Sequence, residues 1–359
     1  MVSIVFADTT GRYDGRDLER RALGGTESSV IRLARELVRR GHRVTVISNC
    51  EGVIEDNGVR WQPFGADVPN DCDLYVPIQH PKLLGLVRAR RTALWVLWRP
   101  NNLKHYKQLP RMWWHRPVPI LMSLFQVAQY SPWLPRRDPQ LIIPLALPDD
   151  IRGLPPLIAP PPPELVFASN PARNLFGVMR IFADRILSVR PDARLKVFGA
   201  VTSAADPWTA WGGLVPQDLS PQAKAAIGIR TAVPREEMMQ DIRNSRAMIY
   251  LGHKTEAFCL SLAEAQALGV PCVVAPVAVL PERVVDGVTG FVRGDEHGFA
   301  AAALSLLNDD ALWRKQHEAA LRLQQGLSWP EYAERFEAAL VPDWISADRS
   351  WSAAVGQAT

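Results

Sequence analysis

Thr255-Glu256-Ala257-Phe258-Cys259-Leu260-Ser261-Leu262-Ala263-Glu264-Ala265-Gln266-Ala267-Leu268-Gly269-Val270-Pro271 stands between two apolar runs, Ala247-Met248-Ile249-Tyr250-Leu251 and Cys272-Val273-Val274-Ala275. The order reads strand, loop, helix, strand, with Gly269 stopping the helix. Glu256 falls in the loop before the helix and Glu264 about one turn inside it. Backbone N–H groups at a helix start have no intrahelical partner, and the dipole there favours an anion, so a phosphate would sit over Cys259 and Leu260. Glu264 would then accept hydrogen bonds from a vicinal diol such as a ribose, and Glu256 would face a sugar beyond the phosphates. The plainer alternative is a helix start of common type, since the dipole alone favours a glutamate in a first turn.

Glu256, seven residues, Glu264, then Ala-x-Ala-x-Gly-x-Pro resembles the signature of family-4 retaining glycosyltransferases of the GT-B fold. There the pattern is Glu-Gly-Phe-Gly followed by Glu-Ala-Met-Ala-x-Gly. Phe258 matches, Ala257 and Cys259 replace the two glycines, and Gln266 replaces the Met. The Cys259 side chain is expected to narrow the space where backbone approaches the donor.

With 359 residues, 47% hydrophobic and 22% charged, the chain suits two ordinary globular domains and is not disordered. Its four cysteines, Cys50, Cys72, Cys259 and Cys272, share no metal-type spacing and are too sparse for a disulfide framework, which fits a reducing cytoplasm. Met1 to Phe6 reads as a first strand rather than a signal peptide, and no stretch is long and uncharged enough to span a bilayer.

Upstream, Val2 to Ala7 is the first strand. Gly24-Gly25-Thr26-Glu27 opens an amphipathic helix ended by Gly41, and Arg43 to Ile47 is the next strand. The glycine pair does not match a dinucleotide fingerprint, and helix capping by Thr26 with Gly25 is its simple reading. Gly-Gly-x-Glu followed by Gly-His-x-Val-Thr-Val is similar to the start of the same family, which implies that Gly24 and Gly25 approach the donor phosphates. Asp73 to Pro77 and Ala93 to Leu97 read as buried strands separated by a helix from about Lys82 to Arg90. Asp71-Cys72-Asp73 spells a metal-binding pattern of another fold class, but two aspartates at a strand entry are more often turn residues. His80-Pro81 falls where the family has a cleft histidine, so the resemblance makes His80 a site candidate. A second family histidine is absent; Trp98-Arg99-Pro100-Asn101-Asn102 stands in its place, leaving Arg99 or Asn101 for that role.

From Lys82 to Arg137 there is no Asp or Glu, against eleven Lys or Arg and five tryptophans. Such a field attracts anionic surfaces, and basic residues with interleaved aromatics suit membrane headgroups or a phosphorylated acceptor. Nucleic acid is not expected, because no recognised binding motif accompanies the charge. The alternative is a solvated basic face over core tryptophans.

Leu141 to Pro144 reads as the last strand of this half. Pro148 to Pro163 carries seven prolines, including Pro160 to Pro163, and forms a stiff linker. Glu164 to Ser169 opens the second half as a strand, followed by a turn, a helix to about Ser188 and the strand Leu195 to Gly199. The resemblance implies diphosphate contacts from this turn, where Arg173 is the best match and Asn170 stands where some members carry an Arg. A surface insertion is expected from Ala200 to Lys224. The resemblance further puts Arg230 and Thr231 near the nucleobase. Lys254, just before Glu256, is placed to stabilise a leaving diphosphate, with a solvated loop residue as the plainer alternative. Leu280 to Phe291 resembles the segment closing the donor pocket, with Gly287 and Gly290 fitting a turn.

The expected organisation is therefore an N-terminal acceptor-side domain at residues 1–147, a linker at 148–163 and a C-terminal nucleotide-sugar domain at 164–340. The tail at 341–359, with Trp344 and Trp351, is expected to pack on the first domain. The fold implied is GT-B, two facing doubly wound Rossmann-like domains with the site between them. The function implied is metal-free, retaining transfer of a sugar from a nucleotide diphosphate sugar to a hydroxyl acceptor, a bacterial surface glycan or a lipid-linked saccharide. Glu256, Arg173 and His80 would be catalytic; Gly24, Gly25, Asn170, Arg173, Arg230, Lys254, Phe258, Cys259, Leu260 and Glu264 would bind the donor. No cofactor is implied, and a cytoplasmic place at the inner membrane face is expected. The competing readings are a catalytically silent anionic-surface or glycan-binding protein on this fold and a nucleotide-sugar epimerase.

Overall fold

The computed structural model describes residues 1–341 apart from 22, 66–67, 136–140, 200–207, 209–210 and 231–232. Thr231, residues 200–207 and 209–210 of the expected insertion, and the tail with Trp344 and Trp351 lie outside the described residues. The chain forms two compact units: Met1–Ala146 together with the segment from Leu327, and Leu147–Gly326.

In the first unit eight strands form one sheet in the order β3-β4-β2-β1-β5-β6-β7-β8. These are β1 (Ser3–Ala7), β2 (Arg43–Ser48), β3 (Ile54–Asp56), β4 (Val59–Pro63), β5 (Asp71–Pro77), β6 (Arg88–Trp95), β7 (Val118–Leu121) and β8 (Leu141–Ile142). All neighbours are parallel except β3 and β4, a hairpin closed by Asn57 and Gly58 at φ 49° and 74°. Both residues there are left-handed, as a two-residue hairpin turn demands. β1 pairs with β2 on one side and β5 on the other, so the chain reverses direction across the sheet at the β1–β5 boundary. The helix Gly25–Arg39 turns Val30, Ile31, Leu33, Ala34 and Leu37 inward. It packs against the helix Trp329–Leu340, which therefore belongs to this unit although the sequence reading had counted it with the second domain. That helix is entered through a capping box in which Ser328 and Glu331 satisfy each other's backbone N–H.

Two expectations need correction. The helix expected from Lys82 to Arg90 is a single 3-10 turn at Pro81–Leu83, and β6 already begins at Arg88. Gly85 at φ 86° breaks the segment, and β6 starts with alternately charged residues that disguise a strand. Residues 148–163, expected as an extended linker, include a 3-10 turn at Asp149–Ile151 and are held to the second unit by Arg152, which donates to the Gln325 carbonyl, and by Leu157.

The second unit carries a six-stranded parallel sheet, β11-β10-β9-β12-β13-β14. Its strands are β9 (Glu164–Ala168), β10 (Arg194–Phe198), β11 (Ile227–Arg230), β12 (Ala247–Tyr250), β13 (Cys272–Val274) and β14 (Gly290–Val292). The chain winds from β9 through β10 to β11 on one side, then returns to lay β12 on the other side of β9. Such a reversal opens a crevice at the carboxyl ends of the two strands between the diverging connections, here β9 and β12. β12 is fully buried, as a central parallel strand covered on both faces requires. β14 lies so close to β13 that a Cβ on Gly290 would collide with the Cys272 carbonyl oxygen.

Candidate functional site

The loops leaving β9 and β12 carry the polar residues of the second unit's crevice. After β9, the Asn170 side chain accepts from the Ala172 amide and its carbonyl from the Arg173 amide, which turns the chain sharply. Asn174 follows in the left-handed region at φ 68° and caps the helix Leu175–Ile181 through the Gly177 amide. After β12, Leu251 to Cys259 runs to the helix Leu260–Ala267, with Cys259 as its left-handed N-cap at φ 62°. Between these loops and the end of β13 lies an open pocket of about 480 Å³, lined among others by Ala172, Asn174, Gly252, His253, Lys254 and Val277.

Glu256 is buried, with the residue 8% exposed. Its Oε1 accepts from the Tyr250 hydroxyl at 2.5 Å and lies 3.5 Å from Arg173 Nε. Arg173 also donates from Nη1 to Thr255 Oγ1 at 2.6 Å, which lies 2.9 Å from His253 Nδ1. Ser169 completes the chain, its Oγ 3.3 Å from the Tyr250 hydroxyl. Both contacts of the Glu256 carboxylate thus meet one oxygen, and among the described residues Oε2 has no partner. A buried carboxylate so arranged holds one face fixed and offers the other to a donor such as a sugar hydroxyl. Burial, reinforced by the nearby Cys259 and Glu256, pushes the Tyr250 hydroxyl well above its ordinary range, so it stays a donor.

Glu264 sits in the second turn of its helix, where Oε1 accepts from Arg235 Nη2 at 2.9 Å. Arg235 reaches on to Asp150 Oδ2 at 2.7 Å. Phe258 is buried and carries the Arg283 guanidinium 4.7 Å above its ring. Burial holds Arg283 below the usual arginine range, and among the described residues its Nε has no hydrogen-bond partner. Cys259 is buried, and burial followed by Glu256 raises its thiol to about 12, which removes it as a nucleophile. Lys254 is exposed beside the pocket. Leu260 opens the helix.

The remaining candidates stand elsewhere. Arg230, at the end of β11, is ion-paired with Glu237 and lies 3.6 Å from Asp241, so its guanidinium is already engaged. In the first unit, Gly24 is the N-cap and Gly25 the first residue of their helix. The Glu27 carboxylate folds back over Gly24, so that helix start already carries a negative charge of its own. His80 follows β5 at the β1–β5 boundary and meets Trp98 edge to face at 5.7 Å. Burial, then Lys82, keeps its imidazole below the usual histidine range. Arg99 donates to Gln129 Oε1, and the Asn101 side chain is outside the described ones. Among the described residues no group of three or more His, Cys, Asp or Glu is placed to hold a metal ion.

Sequence reasoning gave no role to Tyr250, Ser169, Thr255, Arg235 or Arg283. Tyr250 had a visible signal, a hydroxyl on the last residue of an apolar strand, which must find a partner when buried. Arg235 had none, because its partner Glu264 is 29 residues away.

Residues 216–322 match the model of the family described as glycosyl transferases group 1. The D-inositol 3-phosphate glycosyltransferase of Thermobifida fusca is 30% identical over 158 residues, 41% of this chain and 35% of that protein. The chain thus matches about a third of the length of that curated relative. Two solved structures share the architecture over nearly their full length. Anabaena Alr3699/HepE in complex with UDP and glucose gives a TM-score of 0.70 at 14% identity, over 95% of this chain and 100% of that one. Sucrose-phosphate synthase (tll1590) from Thermosynechococcus elongatus gives 0.68 at 14% identity, over 98% and 99%. At such identities the likeness carries the fold. The chain has the GT-B fold, two Rossmann-like units each built on its own sheet, and within the second unit residues 216–322 are similar to the group 1 glycosyl transferases.

Proposed function

We propose that the protein moves a sugar from a nucleoside diphosphate sugar to a hydroxyl acceptor, with retained anomeric configuration and no metal in the chemical step. The observation that carries this reading is the Glu256 carboxylate, buried at the carboxyl ends of β9 and β12 with Oε1 held by Tyr250 and Arg173 and Oε2 free among the described residues. The family match over residues 216–322 contains that carboxylate and the helix after it. In this reading Glu256 accepts from hydroxyls of the donor sugar, and Glu264, held by Arg235, accepts from the ribose. Arg173 and the amides at Leu260 stabilise negative charge on the departing diphosphate. The C1–oxygen bond to the diphosphate breaks as the acceptor oxygen bonds to C1 on the same face, and the acceptor proton passes to the departing phosphate oxygen. The acceptor class we carry is a glycan or lipid-linked saccharide. His80 and the Gly24-Gly25 loop enter by resemblance alone, and His80→Ala tests the former.

The UDP complex of the Anabaena relative makes UDP-glucose the first donor to try. The test is a thermal-shift screen of UDP, GDP, ADP and dTDP and their sugars, with and without EDTA, because a ligand of the native state must raise the midpoint. The expected result is a shift with one base that survives EDTA and shrinks in Arg173→Ala and Glu264→Ala. Turnover with the matching sugar should vanish in Glu256→Ala, and the product anomer is read by NMR. No shift with any nucleotide at millimolar concentration would overturn the reading.

A further inference from the structure

The acid-free stretch folds into one surface of the first unit. The helix Leu109–His115 packs against the turns at Pro81–Leu83 and Pro100–Lys104, and the helix Leu124–Gln129 packs on the latter turn. Every one of these elements lies within a segment that has no acidic residue between Lys82 and Arg137. Beneath them Leu103, Met112, Leu121, Tyr130 and Leu134 form a closed apolar cluster. The outward aromatics are therefore surplus to the core. Trp114 is 85% exposed, Trp133 76% and Tyr106 70%, and the Trp113 indole N–H donates to the Trp133 carbonyl at 3.0 Å, which joins two segments into one patch.

The cations among them are unspent. Lys104, Lys107, Arg111 and Arg116 are exposed and none is ion-paired among the described residues. Arg116 lies 5.8 Å over the Trp113 ring and Lys107 5.7 Å over Tyr106, while Arg111 donates to the Lys82 carbonyl. Large exposed apolar patches mark interaction sites. Tryptophan and tyrosine with lysine and arginine, and no carboxylate, is the composition of a membrane–water interface rather than of a protein interface, where lysine is depleted. No helix among the described residues is long and apolar enough to cross a bilayer, so contact would stay at the headgroup level.

We propose that the surface formed by Tyr106, Lys107, Arg111, Trp114, Arg116 and Trp133 docks the first unit on an anionic lipid bilayer. The cations meet the headgroups and the indoles enter the interface. This holds whether or not the second unit transfers sugar, so the two readings fail independently.

The test is co-sedimentation of the full chain with vesicles of phosphatidylcholine alone and with about a third phosphatidylglycerol. Strong binding is expected only to the anionic vesicles, and it should fall steeply as salt rises toward about 0.5 M. Each basic contact is worth roughly fivefold in affinity, so K107E/R111E should weaken binding by about 25-fold or more. W114A/W133A, both at exposed positions, should weaken it while leaving the thermal midpoint in place. Equal binding to both vesicle types, or unchanged binding by both double variants, would overturn the proposal. So would binding to a single-stranded oligonucleotide with no binding to vesicles, because basic grooves with aromatics also suit unpaired bases.

Discussion

The Tyr250 hydroxyl donates to Glu256 Oε1 at 2.5 Å within the second unit, and the same oxygen lies 3.5 Å from Arg173 Nε. Tyr250 is 1% exposed on the last position of β12, so the bond is set by a strand fixed on both sides rather than by the loop that carries Glu256. The carboxylate cannot turn without breaking it.

Tyr250→Phe keeps the ring and removes only that donor. A hydrogen bond to a charged group contributes roughly 1.5–3 kcal/mol, and part of this should appear as lost transfer rate. The expected outcome is a fall in kcat of about ten- to a hundredfold with KM changed little. Steady-state kinetics with the donor found by thermal shift checks it, with circular dichroism to show the fold retained. An unchanged kcat would remove Tyr250 from any positioning role.

Glu264 meets Arg235 at 2.9 Å, and Arg235 also meets Asp150 at 2.7 Å. If Glu264 receives a ribose, Arg235 holds the receiving carboxylate in place. Arg235→Ala should then weaken binding of the ribonucleoside diphosphate by roughly three- to tenfold, about 1 kcal/mol. Binding of its dideoxy analogue, lacking both ribose hydroxyls, should stay where it was. Calorimetric titration of the two ligands gives the comparison. Equal losses for both would mean that Arg235 acts on the fold and not on the diol.

The architecture was legible where the signal was local. Apolar runs such as Leu165-Val166-Phe167 and Met248-Ile249-Tyr250 are buried parallel strands, and Gly269 ends its helix as read. The hairpin of β3 and β4 went unread although Asn57-Gly58 marks its turn, because both strands are short and largely polar. Ala93 to Trp95 read as strand, but the first residues of β6, Arg88 to Arg90, read as the end of a helix, since Arg88, Arg90 and Arg91 mask its first half. The two glutamates drew notice through their spacing along the chain. Their partners could not be read in the same way. Arg173 and Thr255 are 82 residues apart, and Ser169 and Tyr250 81 apart, brought together only because β9 and β12 pair.

Two substitutions in the second unit should move stability in opposite directions. Ala278 sits at φ 53°, a left-handed conformation that costs a residue with a Cβ roughly 1–2 kcal/mol. Ala278→Gly relieves this, offset by the greater freedom of glycine in the unfolded chain, for a net gain of about 0.5 kcal/mol. Gly290→Ala has no such room, because its Cβ meets the Cys272 backbone, and it should cost about 2–4 kcal/mol. Urea unfolding followed by fluorescence separates the signs. A destabilised Ala278→Gly would show that its backbone is held by something other than the strained conformation.

His317 gives a pH dependence with a defined sign. It stacks on Trp313 at 4.6 Å, and its Nδ1 lies 2.6 Å from the Gly269 carbonyl, which can only accept, so Nδ1 carries the proton. Nε2 therefore accepts from the Leu157 amide at 2.9 Å. Both nitrogens are used in the neutral ring, and protonation would break the bond to Leu157. Burial lowers its pKa below the ordinary histidine range, so near and below about pH 6.5 the unfolded chain binds more protons than the folded one. Its contribution is complete above about pH 6.5 and is lost as pH falls through the lower folded value. His317→Asn should be weaker than the parent by about 1–3 kcal/mol at neutral pH. It should also lose less stability than the parent on acidification toward about pH 5.5. His42, His80 and His115, which burial also lowers, are present in both proteins and cancel in the difference. Parallel acid dependence of the two proteins in urea titrations at both pH values would show that His317 does not titrate in this range.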